Sequence, residues 1–425
     1  MRRALRVCLP IVLSAACLAA AAPAQGAIPL IVTSAGDWSP AVSDVTKCIE
    51  ASGPCTLRAA VTAANQLQNN PQITFSPALN GATIRLSAGS LPVTQSMAIV
   101  GPGAAQLTID GSLGVDNGII AHSAPALAVS GVTLQNGTSS DGWFNQHGGG
   151  AIQQTAGTLT VTGVTFTGNT SGSGNDGGAI YAAGTATTIS GSTFTHNIAA
   201  GGIESTDGGA IYLDSGTLSV SASTFSGNHS ADDGGAIAAD GGPVTIDGST
   251  FTANSAAYNG GAITVESGNL TLTSSNLTAN TAQNGTAVAF RTTSATATIS
   301  GSHVMGNTAT GEGAAISVLG TLDLSNTLVE NNTGAAKGGV AAATGHLTNV
   351  TITGNSFTDG SFACGQAQGC AGGVILGSGS ISASTITDNT STSGVSTANC
   401  WFPRPSAVTL GAGNTLAADC TTPSR

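Results

Sequence analysis

The chain is poor in the residues that build a single broad core or hold an anionic polymer. Of 425 residues, 7% are charged and 4% aromatic. Lys and Arg number 10 against 21 Asp and Glu, for a formal net charge of −11. So few bulky rings exclude one wide, aromatic-filled centre. So few cations argue against nucleic acid, whose affinity rests on Lys and Arg meeting phosphates. The same shortage argues against polyuronates, which an acidic surface repels. Beyond the first residues no apolar run approaches the ~18 residues of a membrane helix, so no span is expected in the mature chain.

Glycine, by contrast, is abundant, with 60 residues, and small aliphatic residues dominate the 40% hydrophobic content. That composition suits many thin, repeated layers. Arg2, Arg3 and Arg6 precede the apolar run "VCLPIVLSAACLAAAA" and the small-residue stretch "APAQGA". This pattern reads as a secretory signal over residues 1–27, cleaved between Ala24 and Ala27. A lipoprotein signal would use Cys17, but Ser14 stands where such signals carry Leu. A secreted or cell-surface location follows as an expectation. Removing Cys8 and Cys17 from the eight cysteines leaves Cys48/Cys55, Cys364/Cys370 and Cys400/Cys420. An even set in an exported chain predicts disulfides, and proximity favours these three pairs among 15 possible pairings.

The repeat is the dominant signal. "GGAI" closes on Ile152, Ile180, Ile211, Ile237 and Ile263. Fourteen residues after each Ile stand Phe166, Phe194, Phe225, Phe251 and Leu277, and three residues later Asn169, Asn197, Asn228, Asn254 and Asn280. Weaker copies run through Asn307, Asn331, Asn355 and Asn389. The Ile-to-Phe interval is fixed while the Asn-to-Gly interval varies, which distinguishes a structural unit from an outward loop. Within the unit, "AIYLDSG" and "TLSVSAS" alternate with period two, as strands do. A period of about 24–34 residues holds three short strands, so stacked copies predict parallel sheets wound into a solenoid, right-handed by the crossover rule. Stacking would set each Phe on its copies, join the Asn side chains in a ladder, and use paired Gly for backbone that a side chain forbids.

These residues resemble the repeat of the polymorphic outer membrane proteins, a right-handed β-helix family of surface adhesins. The resemblance covers roughly residues 149–390. "CTLRAAVTAAN", residues 55–65, is similar to the CSLREA motif found before bacterial β-helices, with Ala59 where that motif carries Glu. The expected fold is all-β: a right-handed parallel β-helix of the pectin-lyase-like kind, with a short N-terminal capping helix. Leu57, Ala60, Val61, Ala64 and Leu67 share one helical face suited to closing a solenoid end. The expected division is a signal over 1–27, a cap and first coils over 28–115, repeats over 116–394 and a C-terminal cap or tail over 395–425.

Chemistry-bearing residues are few. Asp176, Asp207 and Asp233 each precede a Gly pair, and Asp214, Asp240 and Glu266 each follow the motif Ile by three residues. Two columns of stacked carboxylates result, which are costly unless solvated, protonated or bridged by a cation. Asp207, Asp233, Asp214, Asp240 and Glu266 are therefore candidate Ca²⁺ ligands, with solvated turn residues as the simpler reading. Across residues 149–390 the cations are Arg291 and Lys337, both in weak coils, and an acid pair beside a base is not evident in the sequence. The expectation is a monomeric adhesive, binding or structural protein whose partner is a glycan or surface protein. The alternative is a carbohydrate-active enzyme, a polysaccharide lyase or glycoside hydrolase, on the same fold.

Overall fold

The computed structural model describes residues 29–38, 48–49, 53–113, 118–139, 148–172, 174–201, 206–311, 313–358, 371–391, 399–403 and 407–421. One coil shows why the sequence winds as it does. The strand Ile211–Leu213 is followed by Thr217–Ser221, then Thr224–Ser226, then the two-residue His229–Ser230. Glycines and small residues turn the chain between them. Each strand pairs in parallel with its copy in the next coil, as Phe225 does with Phe251. Among the described residues the strands form a wide sheet of 23, a second sheet of 13 and a short sheet of 10. The chain is thus a parallel β-solenoid.

The predicted columns are present. Ile152, Ile180, Ile211, Ile237 and Ile263 stand in register in the wide sheet. Phe166, Phe194, Phe225 and Phe251 stand in register in the second sheet and are fully buried. Their ring centroids are 4.5, 4.6 and 4.7 Å apart, with planes within 4° of parallel. Of the Gly pair, Gly208 has φ +69°, and a Cβ on Gly209 would lie 2.1 Å from the Gly235 carbonyl oxygen of the next coil. The first glycine is needed for its backbone angle and the second for lack of room.

The asparagine ladder satisfies the turn that follows each Phe. Asn228 Nδ2 donates to Asn254 Oδ1 at 2.9 Å and to the Phe194 carbonyl at 3.0 Å, while its backbone N–H donates to the same Asn254 Oδ1 at 3.0 Å. Each side chain therefore joins three coils inside the protein. The ladder passes through Asn332, not the expected Asn331: Asn307 Nδ2 donates to Asn332 Oδ1 at 2.9 Å. Asn331 instead takes the left-handed turn position at φ 54°. Two adjacent asparagines serve different needs there, and spacing alone did not separate them. A second ladder was not anticipated. Ser192, Ser223, Ser249, Ser275 and Ser302 are buried, and each accepts the backbone N–H of its counterpart in the preceding coil at 3.2, 3.2, 3.2, 3.1 and 3.2 Å, starting from Val164.

The N-terminal helix, α1 (Leu57–Ala64), packs on the first strands. Thr56 caps it by accepting the Ala59 N–H at 3.1 Å, and Cys48–Cys55 is disulfide-bonded. Ala59, where the similar motif has Glu, is buried. Buried Arg58 makes a two-pronged ion pair with Asp37, at 2.7 and 3.1 Å, and donates to the Gly89 and Ser90 carbonyls. The C-terminal segment supplies strands of the last coil: Cys400–Trp401 and Val408–Leu410 pair with Val374–Ser382, and Cys400 is bonded to Cys420. Cys364, Cys370 and the signal residues 1–27 lie outside the described residues. No helix among the described residues is long and apolar enough to cross a membrane.

Candidate functional site

The two acidic columns flank one outer strip of the wide sheet. The first is Asp176–Asp207–Asp233–Asn259. The Asp207 N–H donates to Asp176 Oδ1 at 2.9 Å, the Asp233 N–H to Asp207 Oδ1 at 2.9 Å, and the Asn259 N–H to Asp233 Oδ1 at 2.8 Å. Each carboxylate therefore caps the next coil's turn. The second column is Asp214–Asp240–Glu266–Arg291. Between them, one residue after each motif Ile, lie Tyr181 and Tyr212, with ring centroids 5.8 Å apart, followed by Ala238. The Tyr212 hydroxyl donates to Asp240 Oδ2 at 2.8 Å, and Tyr181 is hydrogen-bonded to Asp214. The tyrosines form a buried floor and the carboxylates its walls.

Arg291 joins the two columns at one end. Its Nη1 lies 2.6 Å from Asp233 Oδ2 and 2.5 Å from Glu266 Oε1. An acid pair beside a basic residue, which the sequence did not reveal, is thus assembled by the fold, with the guanidinium present as a cation. Its signal was present: aligning "TAVAFR" with the GGAI motif puts Val288 at the Ile position, and Arg291 three residues later in the Asp214 column. The motif was hard to see because Thr286 and Ala287 follow only one glycine, Gly285, at that turn.

Solvated turn residues are not what the first column contains. Asp233 is only 2% exposed, and Asp176 and Asp207 are half-buried. Burial pushes the Asp207 carboxyl up to about 8, aided by the charges of Asp176, Asp233 and Asp232 and opposed by the Asp233 amide. Burial likewise pushes Asp176 up to about 7. Asp232, Asp240 and Glu266 are raised, again chiefly by burial, with Arg291 pulling each the other way. Burial also raises both tyrosine hydroxyls, so they stay protonated donors. A proton is therefore retained in the first column near neutral pH, while Asp233 has a guanidinium against it.

For a divalent cation, the carboxylates that converge among the described residues are Asp207, Asp232 and Asp233, with oxygens within 4.8 Å of one another. Asp232 was absent from the candidate set. Asp214, Asp240 and Glu266 belong to the opposite wall. Asp233 Oδ1 accepts from Asn259 and its Oδ2 faces Arg291, so this triad fits a cation only at the expense of those contacts.

Comparison with known proteins bears on the scaffold that carries this strip. The right-handed β-helix region family matches residues 149–333. The solenoid is a right-handed β-helix. Solved structures to which the chain is similar include the A-module of a mannuronan C-5 epimerase from Azotobacter vinelandii (14% identity, TM-score 0.35, 85% of this chain and 94% of that one). Another is the catalytic unit of a thermostable α-1,3-glucanase from Streptomyces thermodiastaticus (13%, TM-score 0.37, 95% and 72%). A third is tailspike protein 3 of bacteriophage CBA120 (12%, TM-score 0.39, 86% and 59%). No curated protein matches the chain in sequence. The β-helix sets the acidic strip across successive coils.

Proposed function

We propose that the protein is an exported, secreted or surface-held β-helix protein that binds a glycan along the acidic strip of its wide sheet. The observation that carries this reading is the buried floor of Tyr181 and Tyr212, lying between a wall that carries Asp207 and one that carries Asp214, Asp240 and Glu266. Carboxylates accept hydrogen bonds from sugar hydroxyls, and successive coils repeat those acceptors at about 4.8 Å. The strip favours neutral or amino sugars and repels uronates, since Arg291 is already spent on two carboxylates.

Hydrolysis is the second reading, and a particular observation favours it. Asp207, pushed up to about 8 by burial, stands beside Asp233, which is ion-paired with Arg291, and a proton-holding carboxyl next to a second carboxyl is the pairing used in acid-catalysed glycoside cleavage. The test is a panel of neutral, amino and uronic polysaccharides, scored for binding and for new reducing ends. Binding of neutral or amino glycans, lost in Asp214→Asn with Asp240→Asn, supports the proposal. Retention of uronates overturns it, and release of reducing ends that vanishes in Asp207→Asn replaces it with the hydrolase. A calcium role at Asp207, Asp232 and Asp233 would raise the melting temperature with added Ca²⁺, and Asp207→Asn with Asp233→Asn would abolish the rise.

A further inference from the structure

A different face of the solenoid is regular in a way the core does not require. In the second sheet each three-residue strand points its middle residue inward, to the Phe column, and its two outer residues to solvent. Over five successive coils those outer residues are Thr165/Thr167, Thr193/Thr195, Thr224/Ser226, Thr250/Thr252 and Asn276/Thr278. Only the inward residue has to be Phe or Leu. The outward ones are free to vary, yet seven of the first eight are Thr and the remaining one, Ser226, is Ser.

Three properties of this face bear on its partner. Over these five coils it is uncharged, on a chain of net charge −11; the same sheet carries Arg85 and Asp110 before them and His303 and Glu330 after them. It is flat: the Phe rings directly behind it are spaced 4.5–4.7 Å and tilted by no more than 4°, so the two ranks of Thr run straight. Its hydroxyls are unspent. Elsewhere on the surface, Ser190 bonds Thr162 at 3.3 Å and Thr273 bonds Asp247 at 2.5 Å, whereas among the described residues no side-chain hydrogen bond involves Thr165, Thr167, Thr193, Thr195, Thr224, Thr250, Thr252 or Thr278. The flanking turn residues are mostly small, such as Gly163, Gly168, Gly191, Gly227 and Gly248; the exception is exposed His196, whose ring lies over Gly227 at the edge of the face.

The geometry points to ice, or water ordered as in ice, as the partner of this face. A flat grid of hydroxyls and methyls, about 4.7 Å by about 6.7 Å from the coil spacing and twice the strand rise, holds surface water at a fixed repeat. β-Branched Thr has a stiff χ1, and the stacked coils fix its backbone, so little entropy is lost on contact. An uncharged face matches a neutral lattice, whereas charged groups would orient water around themselves. Crystalline polysaccharide is also periodic, but sugar rings are gripped by stacked aromatic side chains, and these ten positions hold none.

The test uses the full chain in an ice-growth assay. The wild type should facet ice crystals and open a gap between melting and freezing. Thr224→Lys with Thr250→Lys should lose most of that gap. Thr250→Tyr, which breaks the plane without adding charge, should lose it too. Thr188→Lys with Thr245→Lys, exposed on the wide sheet, should keep it. All variants should retain the wild-type circular dichroism. A wild type without faceting or gap overturns the inference, as does equal loss in the wide-sheet variant. Adsorption to crystalline chitin or cellulose, removed by Thr224→Lys with Thr250→Lys and unaccompanied by ice shaping, overturns it in favour of a glycan lattice. This face is separate from the acidic strip, so either assignment can fail without the other.

Discussion

Single residues in this protein act through their copies. Asn254 illustrates it: it accepts from Asn228, donates to Asn280 and donates to the Phe225 carbonyl, all inside the protein. Truncation strands the Asn228 backbone N–H, which donates to Asn254 Oδ1, while Asn228 Nδ2 keeps the Phe194 carbonyl and Asn280 Oδ1 keeps the Asn254 N–H. Asn254→Ala should cost about 1–3 kcal/mol, the cost of one stranded buried group, read from chemical denaturation. An effect below about 1 kcal/mol would mean that water replaces the side chain and the ladder is not closed to solvent. Arg291 is a residue of another kind, tied to two carboxylates but nearly half exposed. Its removal leaves buried Asp233 without a cation. Arg291→Ala should therefore cost about 1–3 kcal/mol, between the worth of an exposed pair and that of a fully buried one, and less at high salt.

At the scale of the coil, the inward residue matters far more than the outward ones. Phe225→Ala opens a gap between two stacked rings and should cost about 3–5 kcal/mol, whereas Thr224→Ala on the same strand should change stability by less than about 0.5 kcal/mol. Comparable costs would mean that the strand faces the other way. This element was legible in the sequence because the Ile, Phe and Asn columns recur at fixed intervals, and stacking requires that recurrence. The helix was legible for a local reason, the spacing of Leu57, Ala60, Val61 and Ala64, whereas its Thr56 cap was not read. The ion pair of Arg58 with Asp37 was not, since no spacing links those positions. The acidic columns were legible as columns, but Arg291 was not seen as their closing member, because its coil has lost the paired glycine. Asp232 was missed because its role comes from the outward loop, whose length varies between coils. The serine ladder was overlooked because Ser is common on this surface, and only the register shows which serines are buried.

At the scale of the whole molecule, the buried carboxylates of the acidic strip should make stability depend on pH. Asp176 and Asp207 are held at about 7 and about 8, above the unfolded carboxyl value near 4. Below about pH 4 both are protonated in either state and cost nothing. As pH rises, the unfolded chain gives up these protons first, so the folded state binds more of them. Stability should therefore fall from about pH 4 to about pH 8 and then level off. Asp37 acts in the opposite sense. Burial raises it, but Arg58 and the Ser87 and Ala88 amides outweigh burial and hold it low, so its contribution is present above about pH 4 and lost only in more acid solution. Buried His122, held low, also opposes folding as it is forced to protonate below its ordinary range near 6.5. The profile of the wild type mixes these effects, so the informative quantity is the difference between wild type and Asp207→Asn. Asparagine keeps the acceptor for the Asp233 amide and removes the proton. The variant should match the wild type near pH 4, gain on it steadily through neutrality, and be the more stable protein at about pH 9. Thermal melts across that range measure the difference directly. A constant offset would show that Asp207 is ionised throughout, and its assignment as the protonated acid of the strip would fall with it.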